Sequence, residues 1–419
     1  MAEPENFSTS DSRAAFRHPN FLLFQTARTC MVVAMEMQSV AVAWQVYEIT
    51  KRPLDLGFVG LVQFLPGILL FLVSGHVADR YDRRKVITVC YVGYGLTSAL
   101  LLFTAVRQLR AVGFIFAVLV ILGTVRAFNA PVSRALLPQL VPEEVLPNAI
   151  AWASTIFQGA SILGPAVGGV IYAALRGPGA VYAFAMVLAV VALICALKLK
   201  LETRARSREP INAKSVLAGL HYIWREKVVL GSISLDLFAV LLGGAVALMP
   251  VYAKEILCTG PWGLGLLRTA PGVGAAAMAI FLAHRPLRKK PGRTMLWCVA
   301  AFGASTVLFG ISHSLVLSLV ALFFVGATDM VSVIVRAVLI QVATPDEMRG
   351  RVNAVDMVFI GASNEFGEFE SGLTAQWLGT VPAVVIGGIG TLIVTAIWAW
   401  RFPELRKIEQ LHSLPPRSA

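Results

Sequence analysis

Apolar residues in this chain form long continuous stretches, and most charged residues lie in the short segments between them. Each stretch is about 20 residues long, which a helix needs to cross roughly 30 Å of hydrocarbon. Membrane strands would show short alternating segments instead. The pattern predicts twelve spanning helices: Phe21–Tyr47, Leu54–Ala78, Val86–Val106, Val112–Pro131, Asn148–Leu175, Ala180–Leu197, Leu230–Ala253, Trp262–His284, Thr294–Ser312, Ser314–Val342, Val352–Leu378 and Val381–Trp400.

The longest polar interruption divides these spans into six and six. It predicts an N-terminal half at 21–197, a linker at 198–229 and a C-terminal half at 230–400, with tails at 1–20 and 401–419. Residues 216–229 of the linker have the pattern of a short amphipathic helix on the membrane surface. The fold class expected is an all-α membrane protein with two six-helix halves.

The two halves resemble each other in sequence. Arg134–Glu144 and Arg336–Glu347 share Arg, Gln, Pro and acidic residues in the same order, and Ala41–Tyr47 similarly matches Ala245–Tyr252. Each pair occupies equivalent places in the two halves. Parallel six-helix halves of this kind resemble the organisation of major facilitator transporters.

Composition agrees with this interpretation. Of 419 residues, 57% are hydrophobic and only 14% are charged, which is outside the range of soluble globular proteins. If both termini are cytoplasmic, most of the 36 Lys and Arg fall on the cytoplasmic side, as the positive-inside rule requires. We therefore expect a multi-pass protein of the bacterial cytoplasmic membrane, and the net charge of +12 needs no nucleic-acid partner.

Several kinds of site are not expected. The polar first twenty residues do not have the pattern of a cleaved signal peptide. The five cysteines and six histidines are dispersed, which argues against a disulfide framework or a metal centre. The sequence lacks the glycine-rich loop that holds ATP. We expect neither an enzyme nor a bound cofactor.

The most informative segment is the charged loop between the second and third spans. Gly75, Asp79, Arg80, Arg83 and Arg84 follow a fixed spacing. This spacing resembles motif A of the major facilitator superfamily, which implies a role in the conformational cycle. The chain departs from that motif at Asp82, where the superfamily usually has glycine.

The fifth span contains a second motif, Gly164, Pro165, Gly168 and Gly169. It resembles motif C of major facilitator antiporters that export compounds. Small residues allow helices to approach closely, and proline removes a backbone donor and bends a helix. The resemblance implies a hinge or gate here, whereas a membrane helix can also contain Gly and Pro without any such role.

Charged residues inside predicted spans are costly and usually face a cavity or an opposite charge. Arg28 and Glu36 lie about two helical turns apart on one face of the first span. Arg126 in the fourth span resembles the arginine of motif B, although it can also be a snorkelling residue near a helix end. Arg28 and Glu36 are candidates for lining the same cavity, and Arg126 is expected to face a cavity or a carboxylate rather than lipid.

The second half is richer in acidic residues, and Glu365 and Glu368 are i, i+3 neighbours on one helix face. Burial and like-charge proximity both disfavour the ionised carboxylate, which suits a proton carrier. Structural pairing with Arg126, Arg268 or Arg336 is the alternative. The proton-coupling candidates are Asp236, Glu365, Glu368 and Glu36, and the other cavity charges expected are Asp329, Arg336 and Asp356.

Further segments resemble one bacterial branch of the superfamily, which contains the enterobactin exporter and macrolide efflux proteins: Trp44–Thr50, Gln63–Pro66, Arg134–Pro138, Thr344–Val352 and Phe402–Leu405. The resemblance implies export of siderophores or drug-like amphiphiles by proton antiport and alternating access, with small-molecule substrate, protons and the lipid bilayer as partners and a monomer as the functional unit. A proton-coupled uptake symporter and a non-transporting membrane sensor or scaffold are the alternatives.

Overall fold

The computed structural model describes residues 13–200, 213–285 and 290–407. Every regular element in these ranges is a helix. The α-helices are α1 Pro19–Thr50, α2 Pro53–Leu69, α3 Phe71–Arg80, α4 Arg83–Val106, α5 Val112–Leu136, α6 Leu146–Ala174, α7 Pro178–Lys198, α8 Ala213–Arg225, α9 Lys227–Leu242, α10 Met249–Val251, α11 Gly260–His284, α12 Pro291–Gly310, α13 Leu315–Ala343, α14 Asp346–Leu378, α15 Thr380–Arg401 and α16 Pro403–Lys407.

Hydropathy and length identify ten of the described segments as membrane spans. The second predicted span is an eleventh if its two helical pieces are counted as one span. These pieces, Pro53–Leu69 and Val73–Arg80, are bent by 59° relative to each other. Pro66 lies just before this bend and removes a backbone donor. The remaining predicted span, Val352–Leu378, is α14, which is 33 residues long but carries several acidic residues, so the count of twelve depends on including a polar helix.

The seventh predicted span, Leu230–Ala253, is not one continuous helix. Here α9 ends at Leu242, and 3₁₀, α and π turns follow as far as Ile256. A Cβ atom at Gly244 would lie 2.5 Å from the carbonyl oxygen of Gly367, so α14 approaches the break too closely for any side chain. The span itself is present, but hydropathy does not register the Gly243–Gly244 break within it.

The predicted surface helix of the linker corresponds to α8. It ends at Arg225, and α9 begins at Lys227, so the membrane helix starts earlier than the predicted boundary at residue 230. Ile223 of α8 is almost fully buried, and Gly219 packs against the backbone of Arg351 on α14. Residues 201–212 of the predicted linker lie outside the described residues.

Helices on either side of this linker pack mainly within their own group. In the first group α1 packs on α6 and α7, and α4 packs on α5 and α7; in the second, α13 packs on α11 and α12, and α15 packs on α9 and α12. Extensive contacts between the groups are made by α2 with α14 and by α6 with α11. The precise domain boundaries stay a prediction.

The bundle has two ends. We call the end where α1 begins and α7 finishes the terminal end, since the Asn20 amide donates to the carbonyl of Lys200 there at 2.8 Å. The opposite end, where α1 meets α2, is the distal end. Gly57 of α2 lies against the backbone of Phe369 on α14, and Gly169 of α6 against that of Pro261 on α11, so the two groups are closed together towards the distal end.

Candidate transport site

The motif A loop joins α3 to α4 at the terminal end. The Asp82 carboxylate accepts a hydrogen bond from the Arg84 backbone N–H at 2.9 Å and caps α4. Asp82 has a φ of −58°, so this position does not need the conformational freedom of glycine. The departure from the motif is therefore compatible with the turn, because aspartate is a favoured N-cap.

The arginines of this loop are held by backbone carbonyls. Arg83 donates to the carbonyl of Ala78 at 3.3 Å and to that of Ala135 at 3.2 Å, and Arg84 donates to the carbonyl of Leu197. These bonds tie the loop to α5 and α7. By contrast, Asp79 and Arg80 are exposed, and a Cβ atom at Gly75 would meet nothing within 4 Å. The C-terminal part of motif A, Arg83 and Arg84, thus anchors the loop, whereas Asp79 and Arg80 before it are exposed to solvent.

The motif C segment is a close-packing site on both sides of α6. A Cβ atom at Gly164 would lie 2.5 Å from the Cβ of Glu36, and one at Gly168 would lie 2.7 Å from the Cα of Met37. Gly169 makes an equally close approach to Gly265 of α11. The helix continues through Pro165. The packing surface is thus present, and the hinge stays a prediction.

Arg28 and Glu36 both face α6, as their spacing predicts. The Arg28 guanidinium lies 5.1 Å from the centre of the Phe157 ring. Glu36 lies against Gly164, two turns further along the same helix. An arginine over an aromatic face in an apolar environment gains a cation–π interaction. Arg28 is therefore partly accounted for by packing, whereas Glu36 reaches the centre of the bundle.

The carboxylates of Glu365 and Glu368 converge on Gly60 of α2. A Cβ atom at Gly60 would overlap an Oε atom of Glu365 and lie 2.9 Å from one of Glu368. The two acids share one helix face, as predicted, and Gly60 provides the space for both. Glu370 points elsewhere on α14 and accepts a hydrogen bond from Thr374 at 2.7 Å.

Two arginines from other helices complete this site. Arg126 of α5 and Arg268 of α11 both interact electrostatically with Glu36, Glu365 and Glu368. Among the described residues, neither arginine forms an ion pair with these acids within 4 Å. We call these five residues the central cluster. Its three acids and two arginines come from α1, α5, α11 and α14.

Polar neighbours hold the two arginines. Arg268 donates to the Ser39 hydroxyl at 2.7 Å, and Arg126 donates to the Gln63 amide oxygen at 3.4 Å. The Nε atom of Arg268 is buried and has no hydrogen-bond partner in the described structure. A buried donor without a partner is costly. Sequence reasoning considered Arg268 only as a structural partner for the acids and did not include it or Gln63 among the site residues.

A second group of charges lies within the C-terminal half. Arg336 is buried and pairs directly with Asp236, and its Nε atom lies 4.0 Å from an Oδ atom of Asp356. Asp329 interacts electrostatically with Asp236 and Arg336. We call these four residues the C-half cluster. The ion pair between Asp236 and Arg336 is the structural alternative considered for the acids of this half.

A cavity of about 180 Å³ is lined by residues of both clusters. Its lining includes Glu368, Asp329 and Asn364, together with Gly243 and Gly244 at the break after α9. Discontinuous membrane helices commonly border substrate and ion sites, because their backbone groups become available there. Two acidic side chains, those of Glu368 and Asp329, thus line the same cavity.

The distal end carries a polar closure that sequence analysis missed. The Tyr47 hydroxyl donates to the Glu255 carboxylate, and the Lys254 ammonium lies 3.4 Å from Glu48. Tyr172 of α6 also reaches Glu48, at 3.4 Å. We call these five residues the distal latch. The matched repeats Ala41–Tyr47 and Ala245–Tyr252 run into it, but sequence similarity alone does not show that they touch.

Comparison with known proteins identifies relatives over nearly the whole chain. Residues 10–417 match the model of the family described as transmembrane secretion effector. Proteins named enterobactin exporter EntS, from Escherichia coli (strain SE11) and Shigella boydii serotype 18, are each 27% identical to this chain over 404 residues, which is 94% of both chains.

Solved structures share the fold. A D-xylose-proton symporter covers 91% of this chain and 97% of its own, with a TM-score of 0.69 and 13% identity. A bacterial homologue of the human lysosomal transporter Spinster, in an inward-facing and occupied conformation, covers 92% and 98%, also with a TM-score of 0.69 and 13% identity. At these identities the likeness concerns the fold alone.

Proposed function

We propose that this chain, which belongs to the transmembrane secretion effector family of the major facilitator superfamily, exports small amphiphilic molecules by alternating access coupled to proton entry. The chain is a multi-pass membrane transporter. We further propose that it functions as a monomer in the cytoplasmic membrane of a bacterium, with both termini in the cytoplasm. The excess of Lys and Arg on the terminal side supports this orientation.

The relatives support the direction of transport. Both EntS proteins are named as exporters and match this chain over 94% of its length. A symporter shares the fold, but one fold serves transport in either direction. Export therefore has more support than uptake.

The site supports an amphiphilic and partly aromatic substrate. Phe58 forms edge-on contacts with Phe116 and Phe369, and Phe64 forms one with Phe366. Phe116, Phe366 and Phe369 lie on α5 and α14, which carry residues of the central cluster, and the other two rings lie on α2 with Gly60. Aromatic edges and faces combined with Arg126 and Arg268 suit siderophores or drug-like compounds that carry rings and acidic groups.

The convergence of Glu365 and Glu368 on Gly60 is the observation that carries the proton mechanism. Two carboxylates so close together cannot both ionise readily, and their protons are lost in two coupled steps. Glu368 also lines the cavity beside Asp329. We assign proton carriage to this pair rather than to Asp236, because Asp236 is ion-paired with Arg336.

Everted vesicles test this assignment with Glu368→Gln. Vesicle uptake driven by a pH gradient, which corresponds to export from the cell, should be lost, whereas exchange of labelled for unlabelled substrate should continue, since exchange needs no net proton release. Glu370→Gln is the matched control, because it removes a charge from the same helix on another face. Gradient-driven transport by Glu365→Gln and Glu368→Gln at the wild-type rate would rule out this pair as the carrier.

Different outcomes would contradict the direction of transport, the proton coupling and transport itself. Substrate accumulation in right-side-out rather than everted vesicles would show uptake. Export that continues unchanged after the pH gradient is collapsed would exclude proton coupling but leave export intact. Binding of a siderophore or drug with neither accumulation nor exchange in vesicles of either orientation would contradict transport itself.

A further inference from the structure

A second and larger cavity lies on the outside of the bundle, far from the transport site. It has a volume of about 640 Å³ and is formed by α12, α15 and α16 at the terminal end. Small-molecule sites typically measure about 300–1,000 Å³. We call it the α12–α15 groove. Neither the central cluster nor the C-half cluster contributes a residue to it.

The polar end of the groove is basic. Arg293 at the start of α12, and Arg406 and Lys407 of α16, line it with exposed side chains. Glu404 is the only acidic residue of α16, and it pairs with Lys227 on α9 at 3.7 Å. Because Glu404 is engaged there, the three cations at the groove are not matched by this acid.

A contact between α16 and α12 positions the segments that carry these cations. The Arg293 Nε–H donates to the carbonyl of Arg406 at 3.3 Å, which uses one of the five guanidinium N–H groups. Leu405 is fully buried, and its carbonyl oxygen packs directly on Gly292. A Cβ atom at residue 292 would overlap that oxygen. The groove is therefore built into the fold.

The remainder of the groove is apolar and faces away from the bundle. Leu296, Trp297 and Ala300 form one wall, and Leu392, Ala396 and Ala399 form the other. Thr395 also lines it, but its hydroxyl donates to the carbonyl of Thr391 at 2.8 Å and so leaves an apolar surface. Trp297 is 76% exposed, and the neighbouring Ile393 and Ile397 are about half exposed. This surface is therefore in contact with lipid in a membrane protein.

We propose that the α12–α15 groove binds an anionic phospholipid. The phosphate lies between Arg293, Arg406 and Lys407, and one acyl chain follows Trp297 and Ala300 into the membrane. Basic pockets between helices at the membrane surface suit acidic lipid headgroups. Trp is favoured near the membrane surface because its ring system is largely apolar but carries a polar N–H. The occupant is a lipid rather than a soluble anion, because most of the lining is apolar.

Native mass spectrometry of the delipidated full-length protein tests the proposal. Three probes are titrated: phosphatidylglycerol, phosphatidylcholine with the same acyl chains, and inorganic phosphate. Phosphatidylglycerol should bind at least about tenfold more tightly than phosphatidylcholine, since each basic residue at a membrane surface contributes roughly a factor of five in affinity. Inorganic phosphate should bind far more weakly than either lipid.

The key variant combines Arg293→Gln, Arg406→Gln and Lys407→Gln. It should weaken phosphatidylglycerol binding about a hundredfold, from roughly fivefold at each position. The matched control combines Lys198→Gln, Lys200→Gln and Arg225→Gln, three exposed positions near the terminal end but outside the groove. This control should retain binding within about twofold.

Ala396→Phe provides a second test, which keeps all three charges and fills the apolar part of the groove. It should weaken phosphatidylglycerol binding without changing the weak binding of phosphate. Equal affinity for both lipids, phosphate binding as tight as lipid binding, or an equal loss in the control triple variant would each overturn the proposal. Wild-type lipid binding by folded Ala396→Phe protein would also overturn it.

Discussion

At the residue scale, the same types of charge occur in two different settings. Asp236 and Arg336 form a buried ion pair, whereas Glu365 and Glu368 share a space without a direct ion pair among the described residues. An ion-paired acid is less suited to bind and release a proton, because the arginine stabilises its charged form. Sequence spacing predicted the Glu365–Glu368 pair, but it did not distinguish which acids are neutralised.

Removing one partner of the buried pair should destabilise the protein. Arg336→Gln leaves Asp236 with an uncompensated charge, and the typical cost of such a change is about 3–5 kcal/mol. The combined change Arg336→Gln and Asp236→Asn should recover part of this loss. Thermal unfolding in detergent measures both. Equal stability of Arg336→Gln and wild-type protein would contradict a structural role for the pair.

At the element scale, hydrophobic runs predicted the helices well, since a membrane span is defined mainly by its apolar length. The hydrophobic runs did not predict where a helix breaks or bends, because such features depend on single residues and on backbone contacts. The break after Leu242 depends on the close approach of α14 to Gly244, and the bend after Leu69 follows a single proline in an apolar run. Neither feature changes the hydropathy enough to be read from sequence.

The packing of α6 gives an element-scale prediction. Gly164→Leu places a side chain where a Cβ atom alone would already lie 2.5 Å from Glu36, so α1 and α6 must separate. Transport should fall at least about tenfold, because displacing catalytic or positioning groups by roughly 1 Å has effects of that size or more. Vesicle transport, normalised to the amount of inserted protein, measures the change.

Gly159→Leu is the matched control on the same helix, because a Cβ atom at Gly159 would meet nothing within 4 Å. It should insert and transport as the wild-type protein does. If Gly164→Leu also transports normally, α6 does not need its close contact with α1, and the resemblance to motif C has no functional meaning here.

At the scale of the whole molecule, the distal end is closed by side chains from both groups of helices. The distal latch joins Tyr47 and Glu48 to Lys254 and Glu255, while Asp79 at the terminal end is exposed. An alternating-access transporter must exchange such contacts between its two ends. The sequence predicted motif A at the terminal end, but the latch depends on residues about 200 positions apart that only folding brings together.

The latch should bias the resting conformation. Glu255→Gln and Tyr47→Phe together weaken the contact with α1, so the equilibrium should shift towards a state open at the distal end. Spin labels near residues 51 and 258 should then report longer distances in a larger fraction of molecules. Arg52→Gln, an exposed change at the same end, is the control. An unchanged distance distribution would show that helix packing alone keeps this end closed.

The final prediction concerns the opposite state, in which the terminal end closes. Asp79 lies at the end of α3, and α2 packs on α14, whose first turns carry the exposed Arg351. We expect closure to bring Asp79 and Arg351 towards each other, so Asp79→Asn should slow transport while substrate affinity changes only a few-fold. Stopped-flow exchange and equilibrium binding separate the two effects.

Asp82→Asn is the control for this change, since asparagine caps a helix about as well as aspartate and the substitution removes the same charge from the same loop. It should leave the transport rate near that of the wild type. A loss of rate in both variants would mean that the overall charge of the loop matters rather than the position of Asp79. Normal rates in well-folded Asp79→Asn protein would mean that terminal closure does not depend on motif A, and that the contacts of α6 with α11 and of α2 with α14 control both states.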